Sequence, residues 1–438
     1  MALQNAGDWS GKIESISHDG NGIGTVVIKE DGKMFRRPIF VPYTTPGDEV
    51  KVSIVKQQRK YSFGKLLKVI NPSPLRVVPL CPHYTECGGC NLQHIAYDEQ
   101  RKQKAQQIQF ILARKDVALP KNVEVLPSAQ RHNYRWRSRI AVAFDGKVTA
   151  GFRRHASHEI IKISSCFIVE KEILALITAL NAKRTKIKGV ELEVLAVMGE
   201  HRKLGVLVPL DDVPPALKED VKDFFDDVFA KNRTIIANLF FQEGRNTKTA
   251  GQVQQHLTYK AAGMTFSFLP EVFIQSNVST NDTLVQKAIA MLFHDADVKG
   301  VNHNKEFVLD LYAGIGNLSL PISKKVRHVI AVEGVEASVM LGKVNAAQNK
   351  VENVTFIHRS TEKYMHEYVK AGQQQRFTPE YIPVGRCVID PPRTGCTPAV
   401  IRDLLQSGIK TVLYVSCSPI TLAIDLQMLR EKYAVKDS

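Results

Sequence analysis

The sequence predicts a multidomain α/β protein. It comprises a small N-terminal β-barrel (residues 1–70), a central α+β segment (71–258) and a doubly wound, Rossmann-like sheet (259–438). Three observations predict it. Short alternating apolar runs, punctuated by Gly, Asp, Asn and Pro, fill the first 70 residues. Three of the seven cysteines fall between Cys81 and Cys90. From Phe307 onward, short apolar runs alternate with helix-like segments as far as Lys432.

The first segment holds five strand-like runs: Gly11–Ile16, Gly24–Ile28, Pro38–Val41, Glu49–Val55 and Lys65–Ile70. Turns are marked by Asp19-Gly-Asn-Gly, Asp31-Gly and Thr45-Pro-Gly-Asp. So many short strands in so little chain favour a small barrel over one layer of a larger sheet. Its basic tail, Lys56, Arg59 and Lys60, suits an anionic partner, and Asn71-Pro-Ser-Pro reads as a linker.

A net charge of +15 points to a polyanion, with nucleic acid favoured over an anionic membrane. No run of about 18 apolar residues is present, so no membrane partner is expected. The N-terminus lacks the charged and apolar regions of a signal peptide. An odd number of cysteines without an export signal argues for a reduced, cytoplasmic protein rather than a disulfide framework. A monomer is expected.

In the central segment, Cys81-Pro-His-Tyr-Thr-Glu-Cys87-Gly-Gly-Cys90 is not a disulfide spacing, because the glycines free the backbone to wrap one object. With the distant Cys166, three clustered thiolates and one remote one fit an iron–sulfur cube. Zinc, helped by His83 or His94, is the alternative on spacing alone. Residues 97–115 read as one helix ended near Asp116 and Pro120. Between 131 and 162, eight Lys/Arg face two acids, interleaved with Tyr134, Trp136 and Phe152. That is the composition of a single-stranded RNA surface, with Arg135, Arg137 and Arg139 expected on phosphates.

The last segment is organised around Phe307–Asn317, an apolar strand followed by a turn through Gly314 and Gly316. The third glycine of a dinucleotide fingerprint is replaced by Ser319, which favours an adenosyl ligand over NAD. Strands are expected at 307–311, 328–332, 353–357, 386–389 and 411–415, with helices between them. Asp310, Glu333, Asp390 and Cys417 then all fall at strand ends, where such sheets bind ligands, and Gln275 enters from the preceding segment. Cys417 precedes a helix that starts near Pro419, a position that favours thiolate. In an enzyme with a methyl donor, a thiolate has a definite use. Uracil C5 is a poor nucleophile until a thiolate adds at C6 and makes C5 enolate-like.

Several stretches carry a family resemblance. They are Phe273-Ile-Gln275, Asp310-Leu-Tyr-Ala-Gly-Ile-Gly-Asn317, Val332-Glu-Gly, Asp390-Pro-Pro-Arg-Thr-Gly and Ser416-Cys-Ser-Pro-Ile-Thr-Leu422. Together they resemble the RNA (uracil-5-)-methyltransferases. The first segment resembles a TRAM domain, an oligonucleotide-binding-like RNA-gripping barrel. With the cysteine set, the chain is most similar to the iron–sulfur type that acts on 23S ribosomal RNA. The resemblance implies S-adenosylmethionine as cofactor and Cys417 as the nucleophile. It implies Gln275, Tyr312, Asn317, Glu333 and Asp390 as contacts to that cofactor or the target base. It further implies Cys81, Cys87, Cys90 and Cys166 as ligands of a [4Fe–4S] cluster, and a helix 97–115 packed on the catalytic domain. Ribosomal RNA is the expected substrate and transfer RNA the alternative. Ser360 stands where some members carry Asn or Asp. The family's general-base glutamate lies in a Phe-Pro-x-Thr-x-His-x-Glu stretch that this sequence lacks after Cys417. The expectation is a methyltransferase domain truncated at its C-terminus, and an inactive RNA-binding protein is the competing reading.

Overall fold

The computed structural model describes residues 7–30, 33–120, 122–244, 246–249, 256–294, 303–378 and 381–436. The expected Asp31-Gly32 turn lies outside them. The first sheet comprises β1 (Asp8–Lys12), β2 (Ser15–Ile16), β3 (Gly22–Glu30), β4 (Lys33–Val41), β5 (Glu49–Gln57) and β6 (Ser62–Asn71). Its strand order is β1-β5-β6-β4-β3-β2, antiparallel except where β4 meets β6. Register shifts along β5–β6 bend the sheet around Ile13, Val26, Ile39, Val41, Val50 and Val52, which share one core. Four of the sequence-predicted runs fall within β3 to β6, and the fifth, Gly11–Ile16, is split between the end of β1 and β2 by a break at Ile13 and Glu14.

Asp48 fixes the exit from this sheet. It is fully buried and accepts hydrogen bonds from the backbone N–H of Thr45 (2.6 Å) and Ser73 (2.9 Å) and from Arg76 Nη2 (2.7 Å). Burial pushes its carboxyl up, but these donors and the guanidinium charge hold it below the ordinary carboxylate range.

Helix α1 (Tyr97–Ala113) follows the cysteine segment, leading to a second sheet of order β12-β11-β10-β9-β7-β8. Its strands are β7 (Arg137–Arg153), β8 (Ile160–Lys162), β9 (Arg184–Met198), β10 (Leu204–Pro209), β11 (Ile236–Glu243) and β12 (Asn246–Thr249). Helices α2 (Lys171–Asn181) and α3 (Lys218–Lys231) bury Leu176, Leu180, Val221 and Phe225 against it. The basic segment is therefore mostly one long strand, and it is not uniformly solvent-facing. Arg137 turns inward and donates to the carbonyls of Pro270 (2.8 Å) and Val272 (2.9 Å), so it ties two parts of the chain together. Arg139 stays exposed beside Glu193.

A two-stranded ribbon, β13 (Leu257–Ala261) and β14 (Met264–Phe268), leads into α4 (Val278–Leu292). Asn277 caps α4, accepting from the N–H of Thr280. The last sheet contains β15 (Phe307–Leu311), β16 (His328–Glu333), β17 (Val354–His358), β18 (Arg386–Ile389) and β19 (Thr411–Tyr414). All neighbours are parallel, in the order β17-β16-β15-β18-β19. Between the strands run α5 (Ser319–Ser323), α6 (Glu336–Gln348), α7 (Thr361–Gln373) and α8 (Pro398–Gln406), with α9 (Pro419–Leu429) last. Val308, Val329 and Val388 face α4 and α5, while Leu309, Leu311, Ile330, Val332 and Ile389 face α7 and α8. Burial on both faces explains why these strands read as unbroken apolar runs. α1 packs on α9 through Leu112, Val117 and Ala423.

Candidate active site

The strand order reverses direction at β15, so the crevice beside it opens between β15 and β18. Register places the candidate residues in one row. Leu311 pairs with Val332 and with Ile389, and Ile389 pairs with Tyr414. One residue further along, Tyr312, Glu333 and Asp390 emerge side by side at the carboxyl edge.

Tyr312 has φ of 62°, and Gly314 and Gly316 have φ of 56° and 90°, so the turn runs through left-handed backbone. Glu333 stabilises the turn, accepting from the N–H of Gly314 (2.9 Å) and of Val335 (2.7 Å). Carboxylate oxygens have lone pairs to spare beyond these two bonds. A Cβ placed on Gly314 would meet nothing within 4 Å, so the space above the turn is open.

Asp310 lies beneath this edge at 1 % exposure. One oxygen accepts from Ser319 Oγ (2.5 Å), and the other is buried without a partner among the described residues. Burial raises its carboxyl to about 7, helped by the negative charges of Asp390 and Glu333. Burial also raises Asp390, to about 6.

The side chain of one predicted contact is bonded elsewhere. Asn317 forms a reciprocal amide pair with Asn281 (2.9 Å each way) and accepts from the Tyr259 hydroxyl, so it anchors the turn to α4 and β13. The Tyr312 ring points toward Cys396 and Thr361, and burial raises its hydroxyl. Gln275 is half-buried in the loop before α4. Cys417 is exposed, one residue before Ser418, the residue that caps α9. Its loop follows β19 and lies beside the loop of Asp390, since Val415 N–H donates to Ile389 O (2.9 Å). Cys387 and Cys396 are buried.

Sequence reading missed Asp425, a buried carboxylate on α9 that contacts the Asp390 loop. The signal was present, because it is the only charged residue in Pro419–Leu429.

The loops that carry the four remaining cysteines meet. Gly88 N–H donates to Arg153 O (2.9 Å), His155 N–H donates to Glu86 O (2.9 Å), and His83 Nε2 lies 3.0 Å from Ser164 Oγ. These bonds bring the Cys81–Cys90 loop against the loop of Cys166. Burial, followed by the neighbouring thiols, raises Cys90, and Cys81, Cys87 and Cys166 are all within electrostatic reach of it. Among the described residues, no group of three or more Cys, His, Asp or Glu is placed to hold a metal ion. The structure therefore does not supply the expected metal site as it stands.

The chain matches the tRNA (uracil-5-)-methyltransferase family over residues 96–438. The chain belongs to that family. Residues 10–75 of this uracil-5-methyltransferase match the TRAM domain of tRNA (uracil(54)-C(5))-methyltransferase. It is 32% identical over 430 residues to a 23S rRNA (uracil(1939)-C(5))-methyltransferase of Vibrio parahaemolyticus, covering 96% of this chain and 89% of that one. It is 33% identical over 398 residues to the protein of the same name from Yersinia enterocolitica, covering 90% and 84%. Its fold is similar to that of Pyrococcus abyssi tRNA (uracil-54, C5)-methyltransferase in complex with S-adenosyl-L-homocysteine. That likeness has a TM-score of 0.66 at 21% identity, over 96% of this chain and 92% of the other. Among the described residues, no helix is long and apolar enough to cross a membrane.

Proposed function

We propose that this chain methylates C5 of a uridine in 23S ribosomal RNA, with S-adenosylmethionine as donor and Cys417 as nucleophile. The observation that carries the proposal is Cys417 itself, exposed at the carboxyl edge of the sheet beside the loop of Asp390. The open space over Gly314, together with an acidic rim, fits a cationic adenosyl ligand. In this reading Glu333 holds the ribose diol, and Asp390 and Gln275 make the remaining contacts. When bound, the donor supplies an electrophilic methyl group. The Cys417 thiolate adds to uracil C6, C5 takes the methyl and leaves S-adenosylhomocysteine, water accepts the C5 proton, and elimination across C5–C6 restores the thiolate.

Ribosomal RNA is favoured because the relatives that share about a third of their residues with this chain act on it by name. Transfer RNA is the second reading, favoured by the family description and the archaeal fold neighbour. The division into a TRAM-like barrel at 1–70, a central RNA-binding domain at 71–258 and a catalytic domain at 259–438 belongs to the same reading. So does a monomer in the reducing cytoplasm, where the free cysteines persist.

The same reading includes a [4Fe–4S] cluster on Cys81, Cys87, Cys90 and Cys166, supported by their spacing along the chain, three clustered and one distant. Protein purified without oxygen should be brown and hold about four irons per chain. A colourless protein with one zinc overturns the cluster. For the reaction, methyl-labelled donor is offered with 23S rRNA and with tRNA, and products are mapped by mass. Expected is 5-methyluridine in 23S rRNA, abolished in Cys417→Ala. Full activity of Cys417→Ala overturns the nucleophile, and labelling of tRNA alone overturns the substrate.

A further inference from the structure

Two loops build the nucleophile's side of the site, 390–397 after β18 and 415–418 after β19, and α9 grips both. The single Thr421 hydroxyl proton is shared between Arg393 O (3.2 Å) in the first loop and Ser418 O (3.2 Å) in the second. One turn further along the same helix lies Asp425, 4 % exposed. A single oxygen, Oδ2, accepts from the backbone N–H of Cys396 (2.8 Å) and from the Tyr414 hydroxyl (2.5 Å). Tyr414 ends β19, three residues before Cys417, and Cys396 ends the turn that starts at Asp390. The Tyr414 hydroxyl also lies 3.8 Å from the Cys396 thiol, so the strand end and the loop meet at the same point.

The approach is close enough to dictate a neighbour. Gly395 has φ of 78°, and a Cβ there would lie 2.7 Å from Asp425 Oδ2. Only glycine lets the backbone come so near the carboxylate. A buried carboxylate with two charge-assisted bonds is a rigid junction, because a low dielectric strengthens bonds that are satisfied.

We propose that Asp425 is a positioning residue for methylation, holding the Asp390–Cys396 loop in register with the strand end that presents Cys417. This rests on Cys417 as the nucleophile. Asp425 touches neither substrate nor cofactor in this account. It acts on the distance between the thiol and the base, where an error of about 1 Å costs about a hundredfold in rate.

The test uses the full-length chain with RNA and donor in steady-state kinetics, with the folded fraction measured at the assay temperature. In Asp425→Ala, kcat should fall about a hundredfold while KM for both substrates stays within about twofold. Asp425→Asn, which keeps an oxygen acceptor, should recover at least about tenfold of that loss. A merely structural role would lower the folded fraction and kcat together and would not be rescued by Asn. Unchanged kcat in Asp425→Ala, or a loss that tracks the folded fraction, overturns the proposal. If Asp425→Ala does not fold, Tyr414→Phe decides, because it removes one donor and leaves the ring. A several-fold fall in kcat is then expected, and an unchanged kcat overturns the idea. Activity in Cys417→Ala would instead remove the nucleophile on which the proposal rests, a result separable from any behaviour of residue 425.

Discussion

Replacing Asp310 with asparagine tests the electrostatics of the cofactor edge. The wild-type carboxyl is almost wholly buried, and burial raises it from 3.8 to about 7. A folded-state value above the unfolded one means that the native state holds the extra proton. Its stabilising effect is complete below about pH 4 and is lost as pH rises through about 7. The group therefore makes the catalytic sheet weaken by about 1.4 kcal/mol per pH unit across that window, about 4 kcal/mol in total. Asparagine cannot ionise and still offers Ser319 an acceptor, so Asp310→Asn should remove this slope. Native-state hydrogen exchange of the β15 and β16 amides, corrected for intrinsic rates, reads the opening free energy of that sheet directly. The variant should be no more stable than wild type near pH 4.5 and more stable by a few kcal/mol near pH 7.5. A difference that stays flat with pH would mean that Asp310 is already ionised at low pH, and that water or a cation reaches it in the free protein.

Further outcomes follow from the same geometry. Because ionised Asp310 and Asp390 favour a sulfonium, affinity for S-adenosylmethionine should rise between about pH 5.5 and 7.5, more than affinity for neutral S-adenosylhomocysteine does. Equal pH dependence in calorimetry would refute the acidic rim. Arg76→Ala should destabilise the first sheet by about 3–5 kcal/mol at pH 7, because it strands the buried Asp48 carboxylate. The gap should narrow at low pH as Asp48 protonates, and exchange of the β5 and β6 amides measures it. Arg139→Ala should weaken RNA binding and reduce its salt slope by about one. Arg137→Ala should act through folding, since its guanidinium is bonded to Pro270 and Val272. A slope change in Arg137→Ala with an unchanged melting temperature would contradict that inward role.

The sequence by itself determined the local layers of this protein. Val329–Val332 and Val388–Ile389 read as buried parallel strands because continuous apolar runs can be buried only between two helical layers. Pro419 after Ser418 marked the start of α9, since proline suits a helix's first turn and serine its cap. Strand ends followed from those runs, and with them the edge positions of Glu333, Asp390 and Cys417. The register decided that Tyr312 stands beside them and that Asp310, expected at the same edge, is buried beneath it. Side-chain direction was decided only by the tertiary structure. Arg137 and Arg139 are two residues apart on one strand and carry the same charge. One bonds to carbonyls 133 and 135 positions away and the other faces solvent. Asn317 sits in a glycine-rich turn that suggested a ligand contact, but partners from β13 and α4 bond its side-chain amide. Asp425 gave only the weak signal of a charge in an apolar helix. Its meaning depends on two loops from elsewhere in the chain, because hydrogen-bond partners are set by proximity in space and not by spacing along the sequence.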